Sequence, residues 1–280
     1  MNDPNKQNVL LVDGSAFVFL HANKPNYNTT ILDHLERLLN LFNTDKYVFF
    51  LEKSKSNFRH AIAVSNVYKG HREANRDKTA DYVPYLSEVF TACTKAFNPV
   101  IYYGVENDDA LSLTAKLYNE GSDYNPIIIG EDSDLLSIQA THFGLKTNIE
   151  TTVDFPGIID VITKSNGTKK LFATGLYATY SKVLKGAAKE NYKGLPGCGT
   201  IKVYALLKTL TTEAEMRELC FELFIKEFGY REGIKKLNEG FRLCYLLREN
   251  KNFILPTIQI YNKTTSYETT TKKWKSITKH

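Results

Sequence analysis

The sequence is poor in cysteine and has no long apolar run. Its four cysteines, Cys93, Cys198, Cys220 and Cys244, are widely spaced without a CxxC pair, which argues against a zinc site and against a disulfide framework. We expect reduced thiols in a cytosol-like compartment. The first seven residues are polar and lack the apolar stretch of a signal peptide, and no apolar run reaches membrane-spanning length. These absences predict a soluble cytoplasmic protein.

The net charge is small, and it leaves two interpretations open. The formal net charge is +5 over 280 residues, while acidic residues are concentrated in the middle of the chain. A mildly basic protein with a local acidic pocket suits an anionic polymer outside and cations inside. A charge of +5 is also ordinary for a protein of this size, so charge alone does not select a nucleic-acid-binding function.

Two acidic clusters each follow a strand-like apolar run. Glu106–Asp109 follows Val100–Tyr103, and Glu131–Asp134 follows Pro126–Ile129. The carboxyl ends of parallel strands meet at one edge of a sheet, so these carboxylates are predicted to share a crevice. Their mutual repulsion would be relieved by a bound cation. The alternatives are two solvated turns, or acids that compensate a helix dipole.

Two further apolar runs also end in an acid. Asn8–Val12 is followed by Asp13, and Tyr47–Leu51 by Glu52; a lone Asp there is also a common cap or turn residue. Helical spacing is found in the segments 31–42, 82–97 and 108–118. This alternation predicts an α/β fold with a mostly parallel sheet and helices on both faces. Beyond Ile158 the chain is predicted to be helical, with a late strand at 253–261 and a flexible Lys-bearing tail.

Two basic segments favour nucleic-acid binding. In segment 58–78, cations are interleaved with aromatics, a combination that can pair with phosphates and stack on bases; an ordinary exposed loop is the alternative. Downstream, Gly197-Cys198-Gly199 precedes a helical run among several lysines. This pattern predicts a hairpin between two helices whose backbone can contact phosphate.

These motifs occur in the order typical of one family. They are Leu11-Val12-Asp13-Gly14-Ser15, the strand ending at Glu52, Phe58-Arg59, Tyr68-Lys69-Gly70-His71-Arg72, Gly104-Val105-Glu106-Asn107-Asp108-Asp109, Asp132-Ser133-Asp134-Leu135 and the glycines from Gly194 to Gly199. The chain resembles the bacteriophage 5′-nucleases, the flap endonuclease and 5′-3′ exonuclease family that includes the 5′-nuclease domain of bacterial DNA polymerase I. The resemblance implies a PIN-like core over residues 1–160 with a helical arch at about 55–98. It also implies a helical DNA-binding region over 161–262 with a helix-three-turn-helix, a helix-hairpin-helix-like motif, at about 184–207, and a flexible basic tail over 263–280.

The resemblance also implies the site residues. The implied ligands of one or two Mg²⁺ or Mn²⁺ ions are Asp13, Glu52, Glu106, Asp108, Asp109, Asp132, Asp134 and Glu190. The implied catalytic residues are Asp13, Lys69, Arg72 and Asp132. The implied DNA contacts are Phe58, Arg59, Tyr68, Lys69, Arg72, Arg76, Lys193, Gly197, Cys198, Gly199 and Lys202, with a potassium ion at the glycine hairpin.

The sequence departs from the family pattern at two places. Glu52 stands where the family usually has Asp. The family's Gly-Asp-x-x-Asp-Asn is here Gly186-Ala187-Ala188-Lys189-Glu190-Asn191, so one carboxylate is lost and a lysine is adjacent. We therefore expect the second metal ion either to bind more weakly than the first or to be held mainly by Asp132, Asp134, Glu190 and the substrate phosphate.

The resemblance implies a divalent-metal-dependent nuclease in phage DNA replication. It would hydrolyse phosphodiesters at 5′ flaps and 5′ ends of DNA, with RNA primers as a further substrate left open, and it would act as a monomer away from membranes. One alternative is a relative that binds branched DNA without cleaving it. Another is a PIN-type ribonuclease, which the glycine hairpin and the long basic segment disfavour.

Overall fold

The fold is built on a six-stranded, mostly parallel sheet. The computed structural model describes residues 3–52, 57–70, 85–249 and 253–262. The strands are β1 (Gln7–Asp13), β2 (Lys46–Phe50), β3 (Tyr124–Gly130), β4 (Ala140–Gly144), β5 (Glu150–Val153), β6 (Ile159–Thr163), β7 (Lys169–Ala173) and β8 (Gln259–Ile260). The sheet order is β5-β4-β3-β1-β2-β8. Strands β1 to β4 pair in parallel, and the edge strands β5 and β8 are antiparallel to their neighbours.

Helices cover both faces of this sheet. They are α1 (Gly14–His21), α2 (Tyr27–Leu41), α3 (Phe58–Ile62), α4 (Leu86–Phe97), α5 (Asn107–Gly121), α6 (Gly175–Lys185), α7 (Thr200–Leu207), α8 (Glu213–Phe228) and α9 (Tyr230–Cys244). Successive side chains of a strand point to opposite faces. Accordingly, Leu10 and Val12 of β1 pack with α1, α2 and α4, whereas Val9 and Leu11 pack with α5. The predicted α/β class with helices on both faces is confirmed.

A third apolar core lies in the C-terminal half of the chain. It joins α6 to α9 through side chains such as Tyr180, Val203 and Phe224, and Leu171 of β7 packs against it. The prediction that the chain is helical beyond Ile158 is wrong here, because β6 and β7 form an antiparallel hairpin. The β-branched residues of β6 and the Asn166-Gly167 turn, where Gly167 has φ +77°, are signals that favour strands over a helix in this segment.

Two predicted strands are shorter in the structure. Val100 forms a single parallel bridge with Phe50, held by backbone bonds of 2.8 and 3.1 Å to Phe49 and Leu51, and the residues after it are irregular. The first acidic cluster therefore begins helix α5 rather than ending a strand. The late strand is reduced to the two residues of β8, which pair with the start of β2.

The middle of the predicted arch and the whole of the predicted tail lie outside the described residues. Helix α4 is described from Leu86, whereas residues 71–84, with the predicted contacts Arg72 and Arg76, and residues 263–280 are not described. The domain limits, the arch and the tail therefore stay predictions. Within the described ranges, no helix is both long enough and apolar enough to cross a membrane.

Candidate active site

An acidic cavity of about 490 Å³ opens at the carboxyl ends of β1 and β3. Eight acidic side chains line it: Asp13, Glu52, Glu106, Asp108, Glu131, Asp132, Asp134 and Glu190. Five basic side chains also line it: Arg59, Lys69, Lys146, Lys182 and Lys189. The cavity thus carries a formal excess of negative charge, and the positions of the cations within it decide which carboxylates remain uncompensated.

Among the carboxylates of the cavity, Asp13 and Asp108 have pKa values raised above the usual range. Asp13 ends β1 and caps α1, accepting bonds of 3.1 and 3.4 Å from the amides of Ser15 and Ala16. Burial raises the pKa of Asp13 to about 6 in spite of those bonds, with a further contribution from Asp132. Burial and then the charges of Asp13 and Asp132 raise the pKa of Asp108 well above its usual value. Neither carboxylate has a Lys or Arg nitrogen within 4.0 Å among the described residues.

Glu106 is held by four donors at the floor of the cavity. Its Oε1 accepts from Lys69 Nζ at 2.5 Å and from Asn57 Nδ2 at 2.9 Å. Its Oε2 accepts from the Tyr68 hydroxyl at 3.0 Å and from Arg59 at 3.3 Å. The Tyr68 side chain is buried by this arrangement, with 3% exposed. The predicted role of Tyr68 in stacking on a nucleotide is therefore corrected: its ring has no free face, and its hydroxyl orients Glu106.

A buried ion pair removes two other residues from their predicted roles. Arg59 donates to both carboxylate oxygens of Asp109, at 2.5 and 2.7 Å, and Asp109 also accepts from the Leu247 amide at 3.0 Å. The two side chains are 1% and 0% exposed. Asp109 does not line the cavity, so the structure does not bring it together with the other predicted metal ligands, and the Arg59 guanidinium is engaged by Asp109 rather than free to contact DNA. Both are needed for the fold, because a buried charge without its partner is costly.

Two lysines neutralise two other aspartates of the cavity. Lys189 Nζ lies 2.7 Å from Asp132 Oδ1 and 3.9 Å from Asp134 Oδ1, and Lys182 Nζ lies 3.0 Å from Asp134 Oδ1. Burial would raise the pKa of Asp132, but the hydrogen bonds from Lys189 and from the Asp134 amide outweigh it and leave that pKa below its usual value. Asp132 thus differs from Asp13 and Asp108, because a cation is already present beside it.

Glu190 lines the same cavity. Burial raises its pKa above the usual value. Its Oε2 has no hydrogen-bond partner among the described residues, and the nearest cation is Lys69 Nζ at 3.9 Å. A buried carboxylate oxygen without a donor is the kind of atom that a bound cation or water would satisfy.

The glycine hairpin lies between α6 and α7. Its backbone doubles back closely: the Leu195 amide donates to Leu184 O at 2.9 Å, and a Cβ on Gly194, whose φ is +64°, would lie 2.6 Å from that same oxygen. Cys198 is buried, whereas the predicted DNA contacts Gly197, Gly199, Lys193 and Lys202 are exposed. These four residues lie outside the acidic cavity, on a surface that DNA can reach.

The donor set of the cavity suits a hard divalent cation. It consists of carboxylate oxygens, which Mg²⁺ and Mn²⁺ prefer. Among the described residues, Asp13 and Asp108 have no Lys or Arg nitrogen within 4.0 Å, and Glu190 Oε2 has no hydrogen-bond donor. In the described part of the chain, no three His, Cys, Asp or Glu side chains are close enough to hold an ion as they stand. The chemistry therefore fits one cation beside Asp13 and Asp108, whereas lysines occupy the position beside Asp132 and Asp134.

The sequence of the core decides the family. Residues 8–156 match the family described as 5′-3′ exonuclease, N-terminal resolvase-like domain, and this stretch is more than half of the 280-residue chain. The chain belongs to the 5′-3′ exonuclease family. The family resemblance drawn from the ordered motifs is thereby confirmed. No curated protein sequence matches the chain.

Two solved structures from bacteriophage T5 share the fold of this 5′-3′ exonuclease family member. The T5 5′-exonuclease with bound zinc ions is 20% identical, with a TM-score of 0.60, and the match covers 85% of this chain and 87% of that chain. The T5 flap endonuclease, in a pseudo-enzyme-product complex with DNA and metal ions, is 18% identical, with a TM-score of 0.63 and coverage of 96% and 98%. At these identities the likeness shows the fold, and it confirms the predicted PIN-like architecture.

In this family member, the cavity collects every predicted metal ligand except Asp109. Lys69 also lines the cavity, and Phe58 lies in a separate groove. Lys182 was not predicted as a site residue. The sequence around it contains no motif that marks it as one, because only the packing of α6 brings it to Asp134. Lys189 was predicted to lie among the lysines near the glycine hairpin and next to the lost carboxylate, and in the structure its side chain lines the cavity.

Proposed function

We propose that this protein is a divalent-metal-dependent 5′-nuclease that hydrolyses phosphodiesters at 5′ flaps and 5′ ends of DNA during phage DNA replication. The supporting observation is the pair Asp13 and Asp108, two neighbouring carboxylates without a cation, in a member of the 5′-3′ exonuclease family. Carboxylates kept together at a cost in electrostatic repulsion are typical of a functional site rather than of a structural one. We further propose that the protein acts as a monomer in the host cytoplasm.

Each side of the cavity would contribute differently to the reaction. Bound Mg²⁺ or Mn²⁺ would supply a Lewis acid for attack of water on the phosphodiester. Asp13 and Asp108 would hold the ion, and Lys69 would place its ammonium against the scissile phosphate. Lys69 is suited to this because Glu106 holds its Nζ at 2.5 Å and the Tyr68 ring lies 4.9 Å beneath it. A preorganised charge stabilises the negative charge that develops on the phosphate.

The glycine hairpin would hold the duplex beside the cut. Gly197 and Gly199 present exposed backbone without side chains, and Lys193 and Lys202 supply exposed positive charge next to them. Lysine contacts to phosphates are independent of sequence and weaken as salt rises. We propose that this surface binds the DNA backbone, with a potassium ion as an additional ligand of the hairpin backbone.

A labelled 5′-flap oligonucleotide tests the proposal. The purified protein is incubated with it in Mg²⁺, in Mn²⁺ and in EDTA, beside the variant Asp108→Asn. We expect metal-dependent release of short 5′ products, and a loss of more than about 10²-fold in the variant at an unchanged circular dichroism spectrum. A variant as active as the wild type would contradict the assignment. Matched flaps with a 5′ RNA segment decide whether RNA primers are substrates.

A second candidate function is binding without cleavage. It is favoured by one observation, the engagement of Asp132 and Asp134 with Lys189 and Lys182, which reduces the negative charge beneath a bound phosphate. In this case the flap substrate would be retained in a gel-shift assay and remain intact in every metal. Cleavage of single-stranded RNA in preference to the flap would instead identify a PIN-type ribonuclease.

A further inference from the structure

Two ammonium groups lie where a second divalent ion would need ligands. Lys189 Nζ lies within 4 Å of one oxygen of each aspartate, at 2.7 Å from Asp132 and 3.9 Å from Asp134. Lys182 Nζ approaches Asp134 from α6 at 3.0 Å. Two positive charges therefore face Asp132 and Asp134, and the charge of these two aspartates is balanced without an ion.

The backbone holds Lys189 in this position. Residues 188–190 form a short 3₁₀ turn, closed on both sides by the bridge between Ala187 and Tyr192, whose backbone bonds are 2.8 and 3.0 Å. Asn191 follows in the left-handed region at φ +59° and donates from its side chain to Val67 O at 3.0 Å. Because these contacts anchor the turn, the lysine is directed at the cavity by the fold.

The other two aspartates of the cavity have the reverse character. Asp13 and Asp108 have no basic nitrogen within 4.0 Å among the described residues, although they line the same cavity. A divalent ion beside these two would find free oxygens and no cation in contact with them. An ion beside Asp132 and Asp134 would have to displace two ammonium groups or lie against them, and like charges at that distance repel.

We propose that this protein binds a single divalent ion, and that the Lys189 ammonium, with Lys182 behind it, supplies the positive charge at the second ion's position. The inference rests on the proposed function, because it presupposes a divalent-ion site beside Asp13 and Asp108. The Lys189 side chain is 51% exposed, so its ammonium can face a substrate phosphate while it remains bound to Asp132. Lys189 is thus assigned a place at the phosphate, in addition to Lys69.

Counting bound Mn²⁺ tests the proposal without reference to activity. Isothermal titration calorimetry of the wild type is expected to give one Mn²⁺ per chain, with an electron paramagnetic resonance spectrum free of coupling between ions. Lys189→Asp replaces the ammonium by a carboxylate, and it is expected to tighten binding of a second Mn²⁺ by about tenfold or more, with a coupled spectrum. Lys189→Gln, which removes the charge without adding a ligand, is expected to bind the second ion less tightly than Lys189→Asp.

A matched control variant and the flap assay distinguish failure of the single-ion proposal from failure of the proposed function. Lys235→Asp changes an exposed lysine that pairs with Glu232 at 4.0 Å outside the cavity, and its Mn²⁺ count is expected to equal that of the wild type. Two equally tight ions in the wild type, or none, would overturn the single-ion proposal. One bound ion without cleavage would overturn the proposed function alone, and two ions with cleavage would overturn the single-ion proposal alone. If Lys189→Asp does not fold, the wild-type count still decides.

Discussion

Replacement of Arg59 by methionine is the sharpest test of the buried ion pair. Met is close to Arg in length, so the perturbation removes the guanidinium and keeps most of the packing. In the wild type this group donates to Asp109 at 2.5 and 2.7 Å, to Glu106 at 3.3 Å and to Tyr245 O at 3.1 Å. All of these bonds are lost together in Arg59→Met.

The expected loss of stability follows from the charge of Asp109, which stays buried after the guanidinium is removed. Asp109 is completely buried. Among the described residues, it would keep two backbone donors, the Leu247 amide at 3.0 Å and the Glu106 amide at 3.3 Å. Breaking a buried pair by removing one partner costs about 3–5 kcal/mol, because the remaining charge is uncompensated. For a chain of this size that loss corresponds to a fall in Tm of roughly 6–20 °C.

Differential scanning calorimetry and urea unfolding measure the effect, and the double variant Arg59→Met with Asp109→Asn is its control. Asn keeps an oxygen for the Leu247 amide but carries no charge. We therefore expect the double variant to be less destabilised than the sum of the single variants, with a coupling of about 1–3 kcal/mol. An Arg59→Met protein with an unchanged Tm and weakened DNA binding would refute this reasoning and restore Arg59 as a DNA contact.

Three further predictions address the reaction, the hairpin and the pH dependence. Lys69→Met should lower flap cleavage by about 10²–10³-fold. It should lower the unfolding free energy by only about 1 kcal/mol, because the buried Glu106 keeps its bonds from Asn57, Arg59 and Tyr68; a loss of stability that matches the loss of activity would contradict this. Gly194→Ala should cost more than about 2 kcal/mol, since its φ is +64°, and weaken duplex binding in a gel-shift titration, whereas Gly121→Ala, where an added Cβ meets nothing within 4 Å, should be neutral or stabilising. Burial lowers the pKa of His142 to about 4, whereas the unfolded chain takes up this proton near pH 6.5. The free energy of unfolding is therefore unaffected by His142 above pH 6.5 and decreases as the pH falls from 6.5 toward 4. At pH 5 this loss is about 2 kcal/mol, and urea titrations should detect it. His142→Gln should reduce the loss, whereas His60→Gln, at an exposed position, should not. An identical dependence of stability on pH in both variants would exclude His142 as the cause.

The sequence by itself determined the central sheet and the positions of most acids. Buried parallel strands read as continuous apolar runs, which is why β1, β2 and β3 could be predicted from short stretches such as Ile127–Ile129. Because such strands end at one edge, the residue order alone was enough to place Asp13 and Asp132 together. The ordered motifs also sufficed for the family. Where a strand is half-exposed, as in β6, or formed by one bridge, as at Val100, the apolar pattern predicts the wrong element or the wrong length.

Tertiary structure alone decided which carboxylate is neutralised by which cation. Asp108 and Asp109 are adjacent in sequence and identical in chemistry, yet a helix points one into the cavity and the other toward Arg59, 50 residues away. Lys189 and Asp132 are 57 residues apart and meet only because α6 and the following turn pack against the end of β3. Charge pairing depends on distances of a few ångströms, and sequence spacing carries no such information between separate elements. The proposed binding of a single divalent ion therefore depends on how the elements pack, and the sequence pattern alone does not predict it.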